Sequence, residues 1–427
     1  MFFPGGGSMT TRRRRRIALV SHGLNAGGGV ATVSRWLHDA LMAAEGYSVD
    51  VHTLATSSRD PSSRRLVAPG SWPRGSLATP AGGPSAKHWG ANAVELEFMR
   101  YRPRRELTAV LRGYDLIQVV AGSPAWASAV VGTGIPVVLQ VATRACWERA
   151  SQLVEQPLPA RAWRGAMTRL TSRAERRALA GVDAVLVENA TMLAWVRSLN
   201  QGRVVKAAPG VDTSFFTPPD HPWRPDGHLL SVCRLGDTRK GLDRMVRAYA
   251  EMVRRNDAVP DLLLVGRGEL PRPVRDLVTN LGLSGRVVVH RDVGLDDLVR
   301  LYQDASVFLQ TSHEEGLGMT VLEAMACGLP VVSTETAGSV ETVQDGQTGW
   351  LVPQLPADRI PATIAERTLR VLADPGCRFG VHARERCTAH FSSDVALGRF
   401  TSVYDDLLGV ATPRDDPDQS PTSPARV

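Results

Sequence analysis

The chain has 427 residues, 43% hydrophobic and 22% charged, with a formal net charge of +7. Its length fits two domains better than one, and no stretch approaches the roughly 18 apolar residues of a membrane span. The charge does not identify a nucleic-acid partner: the only lysines are Lys87, Lys206 and Lys240, and the arginines are scattered and often near Asp or Glu, as on a solvated surface. Cys146, Cys233, Cys327, Cys377 and Cys387 form no CxxC pair; they read as reduced thiols of a cytoplasmic protein, not as a disulfide frame or zinc site.

Residues 1–15 read as a disordered basic arm ending in a run of arginines. The apolar stretch after it is too short for a signal h-region, and weak peripheral membrane contact through the arm is the alternative reading. Strand and helix signals then alternate over 16–208. Strands are expected at 17–20, 49–54, 116–120, 137–141, 184–187 and 204–207, and helices at 30–44, 125–131 and 163–179. In the first helix Val33, Leu37 and Leu41 recur at four-residue spacing. Residues 56–90, rich in Pro, Gly, Ser and Arg without periodicity, read as a long mobile loop.

Prolines cluster at 209–226, where the interdomain connection is expected. The alternation restarts over 227–375, with strands at 229–232, 262–265, 287–289, 307–309 and 331–332 and helices at 242–253, 274–281, 298–305 and around Glu323. Leu242, Met245, Val246, Tyr249, Met252 and Val253 form one apolar face. Residues 376–410 read as C-terminal helices that could pack back on the N-terminal domain, and 411–427 as a disordered tail. Two successive β-α alternations imply an α/β protein with two doubly wound parallel sheets facing a central cleft, with ligands at the carboxyl ends of the strands.

The most informative stretch is TSHEEGLGMTVLEAMACGLPVV, from Thr311 to Val332. Glu315 and Glu323 stand eight positions apart, separated by the corner Gly316-Leu317-Gly318 and the start of a helix carrying Met319 and Thr320. A glycine corner at a helix N-terminus suits a phosphate, and a carboxylate further along suits sugar hydroxyls. After the first strand of the second half come Arg234 and Lys240, on the ligand side of the sheet, where two cations can clamp a pyrophosphate and neutralise departing charge. Between the first strand and first helix, Asn25-Ala26-Gly27-Gly28-Gly29-Val30 either admits a phosphate or sugar to the backbone or forms a plain tight turn. It lacks the GxGxxG spacing of a dinucleotide site.

Together these segments resemble the retaining glycosyltransferases of family 4, with two Rossmann-like domains in the GT-B arrangement. Glu315-x7-Glu323 matches the family's E-x7-E signature, Arg234 and Lys240-Gly241 its basic pair, and Gly27-Gly28-Gly29-Val30 its glycine loop. Ala208-Pro209-Gly210-Val211-Asp212 resembles its hinge. The resemblance implies an N-terminal domain on the acceptor side and a C-terminal domain binding a nucleotide sugar, a UDP- or GDP-sugar, as co-substrate. It implies that Arg234 and Lys240 hold the diphosphate, that Glu315 touches donor-sugar hydroxyls, and that backbone from Gly316, Leu317, Gly318, Met319 and Thr320 contacts sugar and phosphate. Glu323 would accept from the ribose, and Gly28 and Gly29 would approach the phosphates from the other domain. No cofactor and no metal is implied.

Where many members have a His-Asp pair, this chain has Ala142-Thr143 followed by Arg144. His22, Arg144 and Arg149 are acceptor-side candidates, His22 also being readable as structural, and Glu314 is a substitute base or a solvent-facing carboxylate. The expected activity is sugar transfer from a nucleoside-diphosphate sugar to an acceptor hydroxyl of a small natural product, glycan or lipid-linked sugar, with retention. A GT-B phosphorylase, a sugar-nucleotide epimerase and an idle sugar-nucleotide-binding module are the alternatives.

Overall fold

The computed structural model describes residues 13–24, 28–74, 77–81, 86–153, 158–200, 202–374 and 378–409. Residues 1–12 of the expected arm, the tail 411–427, Asn25, Ala26, Gly27 and Cys377 lie outside them. Cys146, Cys233, Cys327 and Cys387 are free thiols. No described helix is long and apolar enough to cross a membrane.

The chain builds two parallel sheets, as the alternation predicted. The first holds eight strands: β1 (Arg15–Ser21), β2 (Tyr47–Leu54), β3 (Ala78–Pro80), β4 (Ala86–Trp89), β5 (Leu116–Ala121), β6 (Val137–Val141), β7 (Ala184–Val187) and β8 (Arg203–Lys206). Their order is β3-β4-β2-β1-β5-β6-β7-β8, parallel except between β3 and β4. The second holds β9 (His228–Val232), β10 (Leu262–Gly266), β11 (Val287–Arg291), β12 (Ala305–Gln310), β13 (Val331–Thr334) and β14 (Gly349–Val352), all parallel, in the order β11-β10-β9-β12-β13-β14. Every residue of β5, β6, β7, β12 and β13 is buried. That is why these strands are near-continuous apolar runs and not alternating ones.

The expectation of a structureless loop at 56–90 is corrected. Strand β4 extends the sheet beside β2 in parallel, and β3 pairs back on β4. Asp60 holds this segment down by accepting from Ser63 Oγ at 2.8 Å and lying 2.6 Å from His88 Nε2. Trp89 is buried and donates Nε1 to His52 Nδ1 at 3.1 Å. The strands are three and four residues long, too short to display a period of two, and β2, the strand that ties them to the sheet, is remote in sequence. Strand β14 and the helix Ile360–Leu372 are further elements that the periodicity did not mark.

One face of the first sheet is covered by the helix Gly29–Ala43, whose Val33, Leu37 and Leu41 pack with Ile17, Leu19, Val120 and Val138. The helix Ser393–Leu407 shares that core through Phe400, Val403 and Tyr404. Each such side chain stabilises by about 1.5–3 kcal/mol relative to exposure. Tyr404 also donates Oη to Gln118 Oε1 at 2.7 Å. Between the sheets two chain crossings lie side by side, with Val211 N bonded to Phe391 O at 2.8 Å and Ser393 N to Val211 O at 3.0 Å.

Among the parallel strands of each sheet the order reverses once, between β1 and β5 in the first and between β9 and β12 in the second. At such switch points adjacent loops diverge and leave a crevice at the carboxyl ends of the strands. The loops after β1, β9 and β12 are the ones carrying the glycine segment, the basic pair and the Glu315 corner.

Candidate active site

The loop after β9 is short and internally braced. Asp237 accepts from Arg239 N at 3.1 Å and opens the turn Thr238–Lys240. Thr311, just past β12, donates Oγ1 to Lys240 O at 3.1 Å and to Gly241 O at 2.9 Å, which locks the two switch-point loops together. The half-buried Lys240 is thereby held against Glu315, and the two form an ion pair through Nζ and Oε1. Ser312 Oγ adds a second donor to the same oxygen at 2.8 Å. Burial works against the Lys240 ammonium, but the Glu315 charge and hydrogen bond outweigh it, and the group titrates above the ordinary lysine range.

Arg234 keeps half of its side chain exposed and donates to Asp237 Oδ2 at 2.8 Å. Across the cleft Gly28 has φ +94°, a conformation that favours glycine, and a Cβ built there would stand 3.6 Å from Arg234 Cδ. The helix Met319–Ala326 begins at Gly318 with no side chain capping it, so its free N–H groups and dipole can act on an anion. Met319 packs against the cores of both domains. Gly28, Arg234, Lys240, Glu315 and the 316–320 corner therefore meet in one crevice, two cations and a helix tip beside a carboxylate.

Glu323 lies one turn into that helix and takes a hydrogen bond from Tyr302 Oη on Oε2 at 2.8 Å. Burial pushes its carboxyl up to about 7, with the Tyr302 bond pulling the other way. Glu314 accepts from Thr143 Oγ1 of the first domain at 2.8 Å, and burial raises it too. It is bonded across the cleft and not left facing solvent.

Each of the three acceptor-side candidates packs or pairs with side chains of the first domain. His22 stacks edge-on against Trp126 at 4.4 Å; burial lowers it to about 4, and its Nε2 has no partner among the described residues. Arg144 packs on both Trp195 and Trp147, 4.0 and 5.1 Å from the ring centroids. Arg149 is ion-paired with Glu97 and donates to Thr168 at 3.2 Å. Among the described residues no hydrogen bond or ion pair ties these three to the Glu315 corner.

Four residues escaped the sequence reading. Arg239, 9% exposed, joins Asp237 at 2.8 Å and Glu148 of the first domain at 3.0 Å. Asn189 donates Nδ2 to Gly316 O at 2.7 Å while capping its own helix through Met192 N. Glu188 sits beside it, and Tyr302 supports Glu323. The one signal that could have found Glu188 and Asn189 is their position immediately after a buried strand, at the ligand end of the sheet.

Residues 226–374 match the family described as Glycosyl transferases group 1. A D-inositol 3-phosphate glycosyltransferase of Kribbella flavida is 30% identical over 400 residues, spanning 86% of this chain and 89% of that protein. A GDP-mannose-dependent alpha-(1-6)-phosphatidylinositol monomannoside mannosyltransferase of Mycolicibacterium smegmatis is 35% identical over 189 residues, 39% of this chain and 46% of that protein. Among solved structures, sucrose-phosphate synthase from Thermosynechococcus elongatus superposes with a TM-score of 0.67 at 23% identity, over 93% of this chain and 100% of that one, a likeness of fold. The chain belongs to the group 1 glycosyltransferases, those of family 4 with the GT-B fold, and it is a glycosyltransferase.

Proposed function

We infer that this enzyme moves a sugar from a nucleoside-diphosphate sugar to an acceptor hydroxyl with retention of anomeric configuration, in the cytoplasm and without a divalent metal. The observation that carries this reading is the Lys240–Glu315 ion pair set beside Arg234 and the uncapped helix tip. An ammonium already neutralised by a carboxylate can exchange partners. When a diphosphate arrives, Lys240 and Arg234 turn to its oxygens and the helix tip supplies N–H donors. Glu315 is then released to accept from hydroxyls of the transferred sugar, and Glu323 from the ribose. As the bond to the anomeric carbon breaks, negative charge grows on the leaving phosphate, where the two cations stabilise it. That phosphate oxygen, on the face the acceptor approaches, takes the acceptor's proton, which gives same-face attack and retention.

The names of the two relatives cite inositol-containing acceptors, which supports a cyclitol or other polyhydroxylated acceptor here. The test is transfer from UDP- and GDP-sugars, with the anomeric configuration of the product read by NMR and a chelator added in one arm. Arg234→Ala and Lys240→Ala are expected to lower turnover by about 10²–10³, roughly 2.7–4 kcal/mol, as for a lost oxyanion donor, with the fold intact by circular dichroism. Near-normal rates in both variants, or an inverted product, would refute this reading.

A further inference from the structure

We propose that Glu188 is the first domain's contact to the transferred sugar, accepting a hydrogen bond from one of its hydroxyls when the two domains close on the donor. This rests on the nucleotide-sugar reading above and adds the residue that selects the sugar.

Glu188 is the first residue past β7, at the carboxyl end of the parallel sheet, and is 6% exposed. Its Oε1 accepts from Gln140 Nε2 of β6 at 3.2 Å. Its Oε2 points at the opposite domain: a Cβ built on Gly316 would lie 3.1 Å from that oxygen, and 3.0 Å from both Cβ and O of Ala142. The first domain thus brings Ala142, Glu188 and Asn189 against the Gly316 corner. Ala142 offers a methyl group and Asn189 is committed to Gly316 O, which leaves Glu188 as the ionisable side chain over the corner.

A purely structural role accounts poorly for this group. Its partner is a neutral amide, and Gln140 Oε1 is itself buried without a partner among the described residues. No described cation pairs with Glu188. The charged groups that face it from the loop after β12, Glu314 and Glu315, are acidic, and burial first, then these two, push its carboxyl up to about 7. An acid buried without a cation costs stability, and a perturbed carboxyl in a cleft is the pattern of a functional group. Its chemistry also separates the two ends of the donor. A carboxylate repels a diphosphate, whose place is by Arg234, Lys240 and the helix tip, whereas sugar hydroxyls are donors that match it. Because Glu188 and the diphosphate clamp lie on different domains, the sugar is read only when the cleft is closed.

The experiment uses the full chain and Glu188→Gln, which keeps size and the Gln140 contact, with Glu188→Ala beside it. UDP and GDP binding is measured by calorimetry, and transfer from UDP-glucose, UDP-galactose and GDP-mannose by product analysis. The expected result is a nucleoside-diphosphate Kd within about twofold of wild type and kcat/KM for the intact donor lower by about tenfold or more, with altered preference among the sugars. A structural residue would not divide the nucleotide from the nucleotide sugar in this way. The proposal is overturned if kcat/KM stays within about twofold in the folded Gln variant, or if diphosphate binding falls in parallel with kcat/KM. An active wild type with an indifferent Gln variant removes this proposal alone; a wild type that uses no nucleotide sugar removes the functional reading with it.

Discussion

Tyr302 hands its phenolic hydrogen to Glu323 Oε2 at 2.8 Å, and this tyrosine, 1% exposed, has no room to turn away. The bond aims the carboxylate and favours its ionised form. Tyr302→Phe removes it while keeping the ring packing against Phe216 and Phe308. Affinity for UDP or GDP is expected to weaken by about 1 kcal/mol, roughly fivefold. Glu323 titrates near 7, so nucleotide affinity should fall as pH drops through that value, and the variant's midpoint should lie higher because a bond to the charged form is lost. Calorimetry between pH 5.5 and 8.5, a range spanning about three units around that midpoint, reads both effects. An unmoved midpoint would exclude this role.

Gly316 is the closest approach of the two domains at the corner. A methyl group added there would meet Ala142 Cβ at 3.0 Å and Glu188 Oε2 at 3.1 Å, so Gly316→Ala holds the cleft slightly open and stretches the Asn189 bond. A misplacement of this kind costs on the order of 10²-fold in rate, while UDP or GDP binding to the second domain should be little changed. Turnover and nucleotide binding measured on the same preparation test the split.

Arg239 is the cross-domain latch. It serves Asp237 at 2.8 Å, Glu148 at 3.0 Å and Glu314 at 3.5 Å with 11% of its side chain exposed. Arg239→Ala strands buried carboxylates and is expected to destabilise by about 3–5 kcal/mol. Glu148→Gln acts at the more exposed end, 39% open, and should cost only about 0–1 kcal/mol. Urea denaturation of both variants measures the difference, and equal losses would deny Arg239 its central place.

His52 sits in a one-way hydrogen-bond chain. Its Nδ1 accepts from Trp89 at 3.1 Å, its Nε2 is 3.0 Å from Tyr114 Oη, and Tyr114 donates to Asp50 at 2.9 Å. The chain needs the neutral imidazole, and burial lowers its pKa from 6.5 to about 4. The unfolded state therefore binds the extra proton first. This stabilisation is fully present above about 6.5 and is lost as pH falls towards about 4, up to roughly 3 kcal/mol. Thermal melts from pH 3 to 8 should show a steeper acid loss in wild type than in His52→Gln, a window of about five units that brackets both pKa values.

The limits of sequence reading follow from the range of each interaction. The helix Leu242–Arg255 was legible because its apolar face repeats within a few residues. The β3–β4 edge was not, since Asp60 is joined to His88 and Trp89 to His52 across 28 and 37 positions. At the site, Arg234, Lys240 and Glu315 were read from their places just after strands. Tyr302 and Arg239 looked like ordinary members of a helix and a turn.

By itself, the sequence determined the two β-α alternations and the ligand-facing loops, because strand and helix periods and glycine corners are set by neighbours along the chain. Only the tertiary structure decided that Glu188 faces Gly316, that Glu148 meets Arg239, and that Tyr404 returns to Gln118 from 286 positions away. The first two contacts arise where two independently wound sheets meet and the third where the chain's last helix returns to the first sheet, and a pairing across such a gap leaves no periodic trace in either segment.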